Sequence, residues 1–231
     1  MAQCSCYTKV WRGLARLPFR VYQYLYIEVC EFHASFLRVT PANITRVNNA
    51  NIINMKKIIL YIAASIDGRI AEPDGDIEWL SEFPITEKMN YGYKEFMASI
   101  DTIIMGGRSW RELSNMDAMG AYDDKAVYVV SRNDWSEKGN IKFITENVIE
   151  RILDLRNQPG KDIWLFGGGE LISMLLAADL VDEMQIAYIP IILGQGILLF
   201  PDNPKESRWE LRHSMCYGNG VVKISYIKLK D

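Results

Sequence analysis

One segment constrains this chain more than any other. Ile163–Ile172, "IWLFGGGELI", runs from apolar residues of strand length through three consecutive glycines into the opening of an apolar-periodic helix. A related arrangement stands earlier, where "DTIIMGG" leads into "RSWREL" at Asp101–Leu113. Missing Cβ atoms let backbone N–H groups approach a bound group closely, and a helix N-terminus adds partial positive charge, so each unit suits a phosphate. A tight strand-to-helix turn asks for the same glycines, and one cluster alone would not separate the two readings. Two clusters favour a phosphate-bearing cofactor. Neither is the common dinucleotide fingerprint, since G-x-G-x-x-G is absent, and neither ends in the Gly-Lys-Ser/Thr of a P-loop.

The pattern around these units is that of an α/β chain. "KKIILYIAAS", Lys56–Ser65, is a continuous apolar run, as expected for a strand covered on both faces. Asp67-Gly68 and Asp74-Gly75-Asp76 are turn signals that make "SIDGRIAEPDGDIEW" a loop. Met89, Tyr93, Phe96 and Met97 recur at helical spacing and predict a helix over Ile85–Ser99. "KAVYVVSRN" and "IKFIT" read as strands, and "ENVIERILDLRNQPG" as a helix stopped by Pro159-Gly160. Strands alternating with short helices imply right-handed crossovers and a mainly parallel sheet. The end differs: "DEMQIAYIPIIL" is followed by "WELRHSMCY" and "VVKISYIKL", an antiparallel hairpin about Gly218-Asn219-Gly220.

Charge and cysteine placement divide the chain. Residues 1–54 carry a net charge of +4 and the remainder −7, and three of the four cysteines (Cys4, Cys6, Cys30) fall in that first part. The main body therefore holds Cys216 alone, so no disulfide framework staples it and a cytoplasmic location is expected. A slightly acidic chain is a poor partner for nucleic acid. Pro18, Gln23 and Glu28 interrupt "WRGLARLPFRVYQYLYIEVCEF" too early for a bilayer span, so no membrane anchorage is expected. Residues 1–54 read as an extension outside the fold, with a basic amphipathic surface segment as the other reading. Residues 55–231 form the expected domain.

The motifs "SIDGRIA", "DTIIMGGRSW", "VVSRN", "WLFGGGELISMLL" and "LVDEMQIAYIPIILGQGILLF" follow one another in the order and approximate spacing of the dihydrofolate reductase superfamily. They most resemble the branch containing the reductase domain of bacterial riboflavin biosynthesis, from about Lys56 to Lys230. The resemblance implies a three-layer α/β fold with an antiparallel C-terminal hairpin. It also implies an NADPH-dependent oxidoreductase that passes hydride to a C=N or C=O carbon of a small pterin- or pyrimidine-like heterocycle, and a homodimer. Gly106 and Gly107 would then lie under the adenosine phosphates, with Arg108 and Ser109 near the ribose 2′-phosphate. Ser131 and Arg132 would flank the adenine. Gly167, Gly168 and Gly169 would approach the pyrophosphate and nicotinamide, with a cis peptide bond between Gly167 and Gly168. Guanidiniums pair bidentately with a dianionic 2′-phosphate, which makes Arg108 and Arg132 chemically apt. Glu170 takes a cofactor-flanking position that is basic in many folate-reducing relatives.

A second departure concerns the proton donor. Folate-reducing members hold the pterin with a carboxylate on the first long helix, and a gapless count back from Gly106 falls at or near Asn90; Glu87 and Glu95 lie three and five positions off. Efficient dihydrofolate reduction is therefore not expected. Asp67 is the candidate substrate contact, with a turn-forming role as its alternative. Glu78 and Trp79 fall where a loop would cover the nicotinamide, and a core-anchoring tryptophan fits equally well. No metal set is expected: the first 54 residues contain neither the H-x-E nor the P-C-x-x-C of a zinc deaminase. The competing function is a cofactor-binding dimer of the same fold that has lost catalysis.

Overall fold

The computed structural model describes residues 55–201 and 206–229. The expected extension, residues 1–54, lies outside them. The first apolar run forms β1 (Ile58–Ser65), followed by the short β2 (Arg69–Ala71) and, after a long loop, helix α1 (Tyr93–Ser99). Then come β3 (Ile100–Gly106), α2 (Gly107–Asn115), β4 (Ala126–Val130), β5 (Ile141–Ile144), α3 (Val148–Arg156), β6 (Asp162–Gly167) and α4 (Gly169–Ala177). The chain closes with β7 (Glu183–Ile189), β8 (Ile197–Leu198), β9 (Trp209–Cys216) and β10 (Val222–Lys228).

Eight strands form one sheet in the order β5-β4-β3-β6-β1-β7-β10-β9, while β2 and β8 pair separately. Every contact from β5 across to β7 is parallel, and β10 is antiparallel to both β7 and β9. Alternation along β1 explains the layers. Ile58 and Leu60 join a core with Ile152 and Leu155 of α3 and Leu171, Ile172 and Leu175 of α4. Ile59 and Tyr61 face the opposite core, with Phe96 of α1, Trp164, and Trp110 and Leu113 of α2. Helices thus cover both faces, giving the three-layer α/β fold expected from the sequence.

The strand order decides where a ligand can sit. From β3 the chain passes through α2 outward to β4, whereas from β6 it passes through α4 the other way, across β1 to β7. These connections leave in opposite directions from adjacent strands, and a crevice opens at the carboxyl ends of strands where that happens. The two glycine clusters end the two strands at that point, Gly106 on β3 and Gly167 on β6.

Two local expectations needed correction. The helix predicted over Ile85–Ser99 begins only at Tyr93. Tyr91 and Gly92 both adopt positive φ, 52° and 76°, which no α-helix accommodates, and the Asn90 side chain accepts the Gly92 N–H at 2.8 Å. Met89 packs instead in a third apolar cluster with Trp79, Tyr91, Ala187 and Ile189. The stretch read as plain loop between Ser65 and Trp79 contains β2, which pairs with β8.

Candidate functional site

α2 and α4 each start on a glycine N-cap, Gly106 and Gly168, and neither start receives a side-chain capping hydrogen bond. The first turns of a helix leave N–H groups without intrahelical partners, so both starts offer donors and positive potential. They also converge. A Cβ added to Gly106 would lie 3.4 Å from the Gly168 nitrogen, and one added to Gly107 would lie 3.1 Å from the Ser131 Oγ at the end of β4. A Cβ on Gly168 would meet nothing nearer than the Ser109 Oγ at 3.8 Å, so that face is open to a ligand. The Gly167–Gly168 peptide bond is cis. Glycines at four positions therefore leave a cradle of backbone that side chains would fill, and a diphosphate fits its chemistry.

The remaining sequence candidates distribute unevenly. Ser109 and Ser131 border the cradle, and the Ser131 Oγ accepts the Asn133 N–H at 3.1 Å. Arg108 and Arg132 are exposed and form no ion pair among the described residues; a Cβ on Gly75 would touch Cδ of Arg108 at 3.7 Å, which places Arg108 beneath the 72–79 loop. Gly169 faces away from the cradle: its added Cβ would sit 2.6 Å from the Leu198 carbonyl oxygen and 3.1 Å from Pro201, so packing against the β8 segment requires this glycine. Glu170 is exposed in the first turn of α4, where its charge opposes an anion at that helix start.

Asp67 acts within the scaffold. Its carboxylate accepts the Ser65 hydroxyl at 2.6 Å and the backbone N–H groups of Leu193 and Gly194 at 3.1 and 2.8 Å. The Ser65 hydroxyl foremost, together with these amides, holds its pKa down to about 2. Arg69 adds a hydrogen bond to the Gly196 carbonyl at 3.0 Å, so the β1–β2 turn and the segment after β7 are fastened at the mouth of the crevice. Glu78 is exposed, and no hydrogen bond or ion pair engages its carboxylate among the described residues. Its neighbour Trp79 is buried with Nε1 lacking a partner, a donor held in an apolar cluster beside Ala63 and Ala187. No carboxylate occupies the Asn90 position: Asn90 makes the turn before α1, and Glu87 is exposed in the loop.

Sequence reading missed Tyr91 and Lys223. The Tyr91 carbonyl accepts from the Tyr61 hydroxyl at 3.2 Å and from the Lys223 Nζ at 3.0 Å, while its own hydroxyl accepts the Asn219 side-chain N–H at 2.7 Å. Partners 30 to 132 positions away leave no local signature. Lys223 alternates with apolar neighbours in "VVKISYI", and only the register shows that it faces α1.

A model of the RibD C-terminal domain matches residues 56–223. The chain belongs to that family. Among curated proteins it is 33% identical over 174 residues to the uncharacterized protein YwjB of Bacillus subtilis, covering 75% of this chain and 98% of that one. Among solved structures it resembles a putative riboflavin biosynthesis protein from Shewanella sp. PV-4, with a TM-score of 0.66, 27% identity, and coverage of 75% and 99%. A dihydrofolate reductase from Enterococcus faecalis shares the fold, with a TM-score of 0.50 at 16% identity and coverage of 75% and 97%. The matched residues include both glycine clusters of the cradle.

Proposed function

We propose that this protein is an NADPH-dependent reductase of a small pterin- or pyrimidine-like heterocycle. The observation that carries the reading is the meeting of two uncapped helix starts, Gly106 and Gly168, at the point where the strand connections diverge. The backbone N–H groups of both first turns hold the pyrophosphate, and Arg108, Ser109 and Arg132 take the ribose 2′-phosphate. Reduced nicotinamide supplies hydride chemistry when bound. The protein's part is orientation and exclusion of water: Ala63 and Ala187 form a shallow floor, and Trp79 with its unpartnered Nε1 closes one wall. Near-attack positioning of this kind accounts for roughly 7–11 kcal/mol of barrier lowering, so a weak proton donor suffices. With Asn90 committed to a turn, water delivers the proton to the reduced substrate. Asp67 keeps the crevice mouth in shape rather than transferring protons.

The same reading takes the protein to be a homodimer, for which the exposed sheet-edge strand β9, with Leu211 53% exposed, speaks. Light scattering at micromolar concentration reads this directly, and a monomer removes it. Calorimetric titration with NADPH and NADH, followed by a turnover screen over C=N and C=O heterocycles, tests the function. Tight NADPH binding without oxidation of the cofactor by any acceptor would identify a catalytically silent binder instead.

A further inference from the structure

Lys223 is a buried cation that the cofactor cradle does not use. The residue is 9% exposed, although a lysine on a surface sheet normally carries its ammonium to water. Lys223 pairs with Ala187 of β7, which in turn pairs with Ala63 of β1. These small neighbours let the lysine stem lie along the sheet, and Nζ comes to rest 4.5 Å above the Tyr61 ring. There it donates to the Tyr91 carbonyl at 3.0 Å and makes no ion pair among the described residues. An ammonium carries three N–H donors, so a buried one with a single acceptor is incompletely satisfied.

The same ammonium lines a cavity of about 390 Å³ between α1 and the β7–β10–β9 face. We propose that this cavity binds a small organic carboxylate, whose oxygens complete the hydrogen-bond set of Lys223. Its size lies in the range of small-molecule sites, roughly 300–1,000 Å³. Phe96, Met215 and Tyr217 supply apolar wall for a ring-sized body. Ser225 and His213 pair across β10 and β9 on its floor, and neither side chain has a hydrogen-bond partner among the described residues. Glu95 of α1 is exposed at the rim, where it favours a hydroxyl or amino group at the far end of the ligand and disfavours a second negative charge. Glu95 at the rim and Glu183 on β7 add negative charge near the ammonium without reaching ion-pair distance, so the site has room for one further charge only, which selects a monoanion over a phosphate.

The groups that face the ammonium are Tyr61 on β1, Tyr91 in the turn before α1, Glu95 in the first turn of α1, Glu183 on β7, His213 on β9 and Tyr217 in the hairpin turn. Burial, partly offset by Glu183 and Glu95, holds Lys223 down to about 8. The charged form therefore dominates below that value, and affinity for a carboxylate falls as pH rises from 7 to 9.

The test is calorimetry on the full chain with 4-(hydroxymethyl)benzoate, its uncharged analogue 4-(hydroxymethyl)benzamide, neither of which titrates between pH 7 and 9, and inorganic phosphate. The expected result at pH 7 is benzoate binding at least about tenfold tighter than benzamide or phosphate, as one charge-assisted hydrogen bond provides. Lys223→Met abolishes the difference. Lys223→Arg keeps it and removes its decline towards pH 9. Equal affinity for acid and amide, phosphate binding as well as benzoate, unchanged behaviour of Lys223→Met, or no binding at millimolar ligand overturns the proposal. The wild-type acid–amide comparison stands even if Lys223→Met fails to fold. NADPH titration of the same samples reads the cradle separately, so loss of one site does not mimic loss of the other.

Discussion

The two sides of this sheet's carboxyl edge are built from different materials. Over β3 and β6 the candidate site is backbone: glycines, two helix starts and short serines. Over β1, β7 and β10 it is side chain: Tyr61, Tyr91, Trp79 and Lys223, tied together across distant strands. A backbone site tolerates almost no added atom where the ligand lies, whereas a side-chain site is specified by long-range register and can change its chemistry without changing its frame. The first kind suits a cofactor common to many enzymes, and the second a substrate particular to one.

Substitution within the triplet separates these ideas most sharply. Gly168→Ala places a methyl group into open space 3.8 Å from Ser109 Oγ, so a folded protein with NADPH affinity reduced roughly 10- to 100-fold is expected, the worth of one or two charge-assisted hydrogen bonds. Unchanged affinity in titration would remove the cradle assignment. Gly169→Ala is expected to act the other way. Its methyl group meets a backbone oxygen at 2.6 Å, so stability falls by about 1–3 kcal/mol with much of the cofactor affinity kept, read by denaturant titration with and without NADPH.

Replacing Arg108 and Arg132 together by alanine is expected to cost NADPH roughly tenfold while leaving NADH affinity nearly level, since only the 2′-phosphate distinguishes the two. Equal losses for both cofactors would move the arginines to a general electrostatic role. The smallest effect belongs to Asp67. Its pKa is depressed to about 2, so its contribution to stability is present above the ordinary carboxylate range and is lost as pH falls from about 4 towards 2. Asp67→Asn is expected to flatten that part of the melting temperature against pH; an unaltered acid limb would show that the Leu193 and Gly194 contacts carry no weight.

This division also sets what could be read from the sequence. The sheet, its crossovers and the C-terminal hairpin follow from apolar runs and turn residues, which are local. The convergence of Gly106, Gly107 and Gly168 has a local signal, because a backbone cradle requires an absence of side chains and absence shows in a sequence. Gly169 belonged to the same triplet, yet its reason is Leu198, nearly thirty positions later, and no local pattern carries that. The short α1 was misread because Met89 keeps helical spacing with Tyr93 while serving a different cluster. Asp67 illustrates the same limit, since an Asp-Gly pair announces a turn but not the loop to which the carboxylate will bind.

The position of β1 has a consequence for how this chain comes into being. Although β1 is the first strand of the sheet, both of its hydrogen-bonded neighbours, β6 and β7, are made more than a hundred residues later. A nascent chain ending before Asp162 carries an apolar central strand with neither edge paired, and only the β3–β4–β5 portion of the sheet is locally complete. Synthesis at about 5–20 residues per second leaves that strand waiting for several seconds. The interval between translating Ser65 and translating Ile189 is thus the window in which both edges of β1 stand open to mispairing, and slow codons between α3 and β6 would lengthen it.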